Sequence, residues 1–257
     1  MLRKSLIIVG LALSLQAAPA LAFPPIDLTA GQTDVVSAVD GTIWSSNITQ
    51  PTGTGVYMPF LREQHNNTEE AFNTDASPVP LDGKEGIWTH SVQWNTLATV
   101  NISGTNYYSF QLDANEPNGP TDGTKSLLSL DALKIYTAST GNLTTLTGQT
   151  LLYNLDGTSD QTVYIDTRLK QGSGTDDVTV YIPTSFFASV NGTDFMYFYA
   201  AFGGSDEAVG FSSADGFEEW RALQGPSTQV PEPTTMLLFG TGLVGLVASR
   251  AKSRRKK

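Results

Sequence analysis

Cysteine is absent from this chain. That excludes disulfide stapling, thiol nucleophiles and Cys-ligated metal centres, and leaves stability to a packed core. Histidine is almost as scarce, with His65 and His90 alone. A Ser-His-Asp hydrolase would have to use one of them, yet no G-x-S-x-G elbow is present. H-E-x-x-H and G-x-x-x-x-G-K-[ST] are missing too, so that type of zinc proteolysis and the common phosphate loop are excluded; G-x-G-x-x-G occurs only as Gly240–Gly245 inside the C-terminal apolar stretch, without the strand–turn–helix setting a dinucleotide site needs. His65 lies in the polar run Gln64-His65-Asn66-Asn67, and His90 follows Trp88-Thr89 as a strand residue bonded locally. Basic residues are also few, 15 against 25 acids, and they crowd at the two ends.

The ends carry targeting information. Arg3 and Lys4 precede an apolar stretch from Leu6 to Leu15, and Ala20-Leu21-Ala22 supplies small residues for cleavage before Phe23. Residues 1–22 are therefore expected to be a secretory signal peptide, which brings in the Sec translocon as a partner. At the other end stands Val230-Pro231-Glu232-Pro233, followed by an uncharged stretch from Thr234 to Ser249. Two prolines around a glutamate cannot continue a helix or a sheet ladder, so this peptide should be extended and accessible. The stretch after it would reach roughly 24 Å as a helix. That is slightly short of the ~30 Å hydrocarbon core, a gap that snorkelling basic residues can close. Gly240, Gly242 and Gly245 suit close helix contact in a bilayer. Arg250, Lys252, Arg254, Arg255, Lys256 and Lys257 then form a cytoplasmic anchor. A single transmembrane helix in the inner membrane is the expectation.

The proline–glutamate–proline motif, a short glycine-containing apolar helix and a basic end, in that order, resemble the PEP-CTERM sorting signal of Gram-negative bacteria. The resemblance covers residues 230–257, with Pro231, Glu232 and Pro233 matching the motif one for one. It implies recognition by exosortase, an integral-membrane, cysteine transpeptidase-like enzyme. That enzyme cleaves near the motif and passes the ectodomain to the cell surface or an exopolysaccharide matrix. The segments Asn106–Thr137, Tyr153–Asp156 and Gly216–Trp220 are similar to ectodomains of other PEP-CTERM proteins, without carrying known catalytic residues.

Between the two signals lie residues 23–229, long enough for one sizeable core. They hold seven basic and 24 acidic residues, a net charge of −17. Such a surface repels nucleic acid and anionic lipid and attracts loosely held cations. Alternation marks strands at Tyr107–Leu112, Thr162–Asp166 and Val178–Ile182, and Phe195–Phe202 suits a central strand covered on both faces. Turn signals separate them at Asn115–Gly123, Thr140–Asn142, Asp156-Gly157, Gly172–Gly174 and Asn191-Gly192. The pattern predicts an all-β ectodomain, an antiparallel sandwich or jelly roll. Leu127–Leu133 and Thr184–Val190 are expected as short helices or helical turns, and residues 50–86 as a long loop or a seam.

Carboxylates and tryptophans supply the remaining candidates. Glu218 and Glu219, with Glu116 or Asp113 as partner, are the candidates for a glycosidase pair; adjacent glutamates on a strand point to opposite faces, so the two cannot pair with each other unless that segment is helical. Asp113, Asn115 and Glu116 in one loop, and Asp156 and Asp160 in another, offer hard oxygen ligands for calcium. Pro117, however, takes the third ligand position of an EF-hand loop, and no glutamate occupies the twelfth. Ordinary turn chemistry accounts for these acids as well, so no cofactor or metal is assigned. Trp44, Trp88, Trp94 and Trp220 could stack on sugar rings if exposed, or pack the core. The sequence is that of a non-enzymatic exported protein, with a carbohydrate-binding module as the alternative and a secreted glycoside hydrolase behind it.

Overall fold

The computed structural model describes residues 24–46, 58–117, 125–157, 159–170, 174–204, 210–214 and 216–225. The cleavage-site residues Ala20, Ala22 and Phe23, the motif Pro231, Glu232 and Pro233, and the anchor from Arg250 to Lys257 lie outside the described residues. The expected signal peptide and C-terminal helix lie outside them too. Among the described residues no helix is long and apolar enough to cross a membrane.

Strands dominate. The first are β1 (Ile26–Asp27), β2 (Val35–Val36), β3 (Ile43–Ser45), β4 (Leu61–Glu63), β5 (Asn66–Asn67) and β6 (Glu69–Phe72). Then come β7 (Val92–Gln93), β8 (Thr99–Ile102), β9 (Thr105–Ala114), β10 (Leu127–Ala138) and β11 (Thr150–Asn154). The last are β12 (Val163–Asp166), β13 (Val178–Pro183), β14 (Phe195–Phe202), β15 (Ser213–Ala214) and β16 (Glu218–Ala222). One sheet runs β1-β12-β10-β14-β6, with β11 beside β10 and β7 beside β14. The other runs β2-β3-β13-β9-β16-β4, with β8 beside β9, and β5 and β15 form a separate ribbon. Pairing is antiparallel except between β1 and β12.

The core lies between the inner faces of the two sheets. Met196, Phe198, Ala200 and Phe202 alternate along β14 and are all buried. Facing them from the second sheet are Phe110 and Leu112 of β9, Val178, Val180 and Ile182 of β13, and Trp220 of β16. Phe198 is the joint, with ring centroids 5.0 Å from Phe110, 4.7 Å from Trp220 and 5.4 Å from Phe60.

Two expectations change. Leu127–Leu133 is not a helix but the first half of β10. Leu128 and Leu130 face the core, the register then slips between Leu130 and Ala132, and Leu133 and Ile135 face the core beyond it. A bulge inside a strand turns an i, i+2 pattern into an i, i+3 step, which imitates helical spacing. Within Thr184–Val190 the expected helical turn is present, as the 3-10 turn Thr184–Phe187. Residues 58–86, expected as part of a long loop, contain β4, β5 and β6 and so contribute to both sheets and the ribbon.

Candidate functional site

At one end of the core the inward register changes from apolar to acidic. On β4, Glu63 shares the inner face with Leu61, and on β16 Glu218 shares it with Trp220. Glu63 and Glu218 stand directly opposite each other across the β16–β4 pair. From the other sheet, Glu69 begins β6 in register with Phe202, two positions from buried Ala71. The fourth acid, Glu116, follows the end of β9 and turns inward. Glu63 and Glu218 are completely buried, Glu69 and Glu116 almost so.

Close backbone approach makes this possible. A Cβ on Gly203, at φ +74°, would stand 2.0 Å from the carbonyl oxygen of Asn67. A Cβ on Gly216 would stand 2.5 Å from the carbonyl oxygen of Asn115. The first glycine seats the β5–β15 ribbon against the end of β14; the second seats the Asn115–Glu116 segment against the start of β16.

Glu69, Glu116 and Glu218 each bring a carboxylate oxygen within 4.8 Å of the others. Backbone amides fix two of them: His65 N donates to Glu69 Oε2 at 2.8 Å, and Ala214 N donates to Glu116 Oε2 at 2.8 Å. Glu69 Oε1, Glu116 Oε1 and both oxygens of Glu218 are buried with no donor, as are both of Glu63. The arginine ion pairs among the described residues go to other acids: Arg62 to Glu219, Arg168 to Asp166, Arg221 to Asp176.

Burial accordingly pushes the carboxyl of Glu218 well above the usual carboxylate range, and the charges of Glu69, Glu116 and Glu63 add to the effect. Glu63 is raised well above its ordinary value for the same reasons, and Glu69 and Glu116 are raised chiefly by burial. A hydrogen bond between Glu218 and Glu69 exists only while the pair retains a proton. With both ionised, Glu218 has no donor on either oxygen, while Glu69 keeps the His65 amide and the nearby Ser213 hydroxyl. The cluster therefore needs either protons or a positive ion. An open pocket of about 300 Å³ lies above it, lined by His65, Glu69, Glu70, Asp82 and Asp131 among others.

A family model described as the PEP-CTERM protein-sorting motif matches residues 229–255. The chain carries a PEP-CTERM sorting motif. That motif implies recognition by exosortase and export as a membrane-anchored precursor in a Gram-negative bacterium. No curated protein and no solved structure matches the chain.

The two acidic loops weighed as calcium ligands fare differently. Asp113 ends on β9, accepts from Gly174 N at 2.5 Å, and is pushed up to about 7, chiefly by burial. Asn115 donates its backbone N–H to Phe217 O at 3.0 Å. Of that trio only Glu116 joins the buried cluster. Asp156 sits in the turn after β11 with a raised carboxyl, and Asp160 is exposed. Both press on Asp131, whose carboxyl burial has already raised, to about 6. Glu219 takes the opposite direction from Glu218, as strand geometry requires, and accepts from Arg62 Nε at 2.6 Å.

Glu63 and Glu69 were not singled out from the sequence. One signal could have found Glu63 and Glu218: each is an acid two residues from a large apolar side chain on a short strand, which places it on the inner face. The histidines do no comparable work. His65 Nδ1 is 2.9 Å from Thr68 O, and His90 Nδ1 is 2.9 Å from Ser91 O.

Proposed function

We propose that this exosortase-targeted protein is a non-enzymatic component of the cell surface or extracellular matrix, displaying a two-sheet ectodomain after processing at Pro231-Glu232-Pro233. The observation that carries this reading is where the acids sit. The Glu69, Glu116 and Glu218 carboxylates that gather within 4.8 Å are buried between the sheets, with Glu218 at 0% exposure, which leaves no room for a sugar or peptide between them. A glycosidase needs its two carboxylates about 5–9.5 Å apart, flanking a bond that the substrate brings into a cleft. Both histidines are engaged by backbone carbonyls rather than by a nucleophile or an acid.

Carbohydrate binding is the second reading, and one feature favours it. On the outer face of the second sheet, Ser109 and Gln111 of β9, Thr179 and Tyr181 of β13 and Arg221 of β16 line a hollow of about 420 Å³. Tyr181 pairs with Ser109, and Gln111 with both Thr179 and Arg221. Asp176 holds the Arg221 guanidinium through two hydrogen bonds, of 3.0 and 2.5 Å. A rigid polar row with one ring is suited to a sugar. The tryptophans give it no support. Trp44, Trp94 and Trp220 are core residues, and Arg62 covers the ring of Trp88 at 3.7 Å.

One experiment addresses both readings: a glycan array with and without calcium, with the same glycans assayed for hydrolysis products. The expected result is no turnover. Binding that is lost in Tyr181→Ala would establish the second reading. Hydrolysis abolished by neutralising one carboxylate in a folded variant would overturn both.

A further inference from the structure

We propose that Glu69, Glu116 and Glu218 bind one calcium ion between the two sheets. The proposal goes beyond surface display and does not depend on it. One carboxylate oxygen from each of the three glutamates converges here, and Oε1 of Glu69, Oε1 of Glu116 and both oxygens of Glu218 are buried without a hydrogen-bond partner. Glu69 and Glu116 are built alike. Each spends Oε2 on a backbone amide and leaves Oε1 free. An amide that fixes one oxygen orients the other, as outer partners orient metal ligands generally. Glu218 is completely buried on the inner face of its strand, where an ionised carboxylate is costly unless it is paired or coordinates a metal.

The donor set selects the ion. Oxygen alone, with no nitrogen or sulfur, favours a hard cation over zinc or copper. Calcium takes six to eight oxygens at ~2.3–2.6 Å in a flexible shell, so ligands on opposite sides stand about 5 Å apart. A cluster contained within 4.8 Å fits that shell. Magnesium demands near-ideal octahedral geometry at ~2.0–2.1 Å and keeps its waters, which a carboxylate site closed by two sheets does not suit. Glu63, opposite Glu218 on the neighbouring strand, lies beside the trio as a further buried carboxyl. The acidic pocket over Glu69 provides the way in.

The consequence is a metal staple in a chain without disulfides. The three ligands come from β6, from the segment after β9 and from β16, so the ion joins both sheets. The amides that hold Glu69 and Glu116 flank or belong to the β5–β15 ribbon, which the ion would also secure.

The test uses the full chain in detergent, stripped with EDTA and titrated with CaCl₂ or MgCl₂ by calorimetry and thermal unfolding, with bound metal counted after dialysis. One calcium per chain is expected. At a hundredfold excess over Kd the melting temperature should rise by about 5–11 °C, and by less with magnesium. Glu218→Gln should weaken calcium binding at least tenfold without lowering the melting point of the metal-free protein, because the neutral amide has the shape of the protonated carboxyl and can still donate to Glu69. Glu70→Gln, an exposed acid of the same pocket, should keep the wild-type response. No calcium uptake by the wild type, equal shifts with the two ions, or a wild-type response in Glu218→Gln would each overturn the site. Should Glu218→Gln fail to fold, Glu116→Gln applies the same criterion from a loop position.

Discussion

Phe198 and Glu218 are both inward-facing strand residues with no exposure, and they contribute to the fold in opposite senses. Phe198 touches three aromatic rings, Phe60, Phe110 and Trp220, in edge-on or tilted arrangements, the geometry that ring quadrupoles prefer. Truncation there removes a large apolar surface and leaves a cavity between sheets that cannot close without moving strands. Phe198→Ala should therefore cost about 3–5 kcal/mol, the range for large aromatics in cores. Denaturant unfolding would check it, as a fall in midpoint without a change in slope. A loss below about 1 kcal/mol would mean that the sheets are not packed through this ring. Glu218, two residues from Trp220 on the same strand, adds a charge where the core would accept a hydrocarbon. That cost is tolerable only with a proton or a cation beside it.

Among the elements, the ribbon of β5 and β15 shows how a pair of two-residue strands can matter. It lies against the end of β14 through Gly203, whose amide donates to Ser129 O at 3.0 Å. A methyl group there would strike the Asn67 carbonyl and come within 2.9 Å of Ser213 N, both backbone atoms that cannot swing aside. Gly203→Ala also meets the positive φ penalty, which is about 1–2 kcal/mol for a residue with a Cβ. The expected outcome is a loss of more than about 2 kcal/mol, with hydrogen exchange accelerated first at Asn66–Asn67 and Ser213–Ala214. A neutral substitution would show that the ribbon does not rest on β14.

The long strands β9, β12, β13 and β14 were legible in the sequence because period-two alternation of Val, Ile, Tyr and Phe persists over four or more residues. β10 was not, because its bulge breaks that period where the sequence was read as helix. The short strands β4, β5 and β6 were illegible for a different reason: Leu-Arg-Glu, Asn-Asn and Glu-Glu-Ala-Phe do not alternate apolar with polar residues over a full period. The acidic cluster was half legible. Glu116 drew notice in a turn and as a possible partner of Glu218, but Glu69 arrives from β6, a short strand that the sequence does not reveal.

Across the whole molecule, the formal charge of −17 on residues 23–229 overstates what the surface carries. Several acids are interior, and burial holds their protons. Asp113 is raised to about 7, with Glu219 and Asp176 adding negative charge and Gly174 N and Asn115 opposing them. Asp131 is raised to about 6, against the Gly204 amide and the Ser129 hydroxyl. Asp177 is raised well above the ordinary value by burial and by Asp113 and Asp176, with the Ala114 amide and Lys170 opposing. For a carboxyl raised in the folded state, the folded chain binds more protons than the unfolded chain between the two pKa values. Stability then falls as pH rises through that interval. The interval here runs from the ordinary carboxylate range near 4 up to about 7. Asp166, lowered by Arg168, works in the reverse sense, but only at and below the ordinary range, as its carboxylate is protonated. In EDTA the melting temperature should therefore be higher at pH 5 than at pH 7.5. One retained pKa unit is worth about 1.4 kcal/mol, or about 3–6 °C for a domain of this size. Asp113→Asn keeps an oxygen for Gly174 N and removes the charge, so it should raise the melting point at pH 7.5 and flatten the dependence. A protein more stable at pH 7.5 than at pH 5 without metal would mean that these carboxylates are solvated, and that the inner faces of the sheets do not hold them as described.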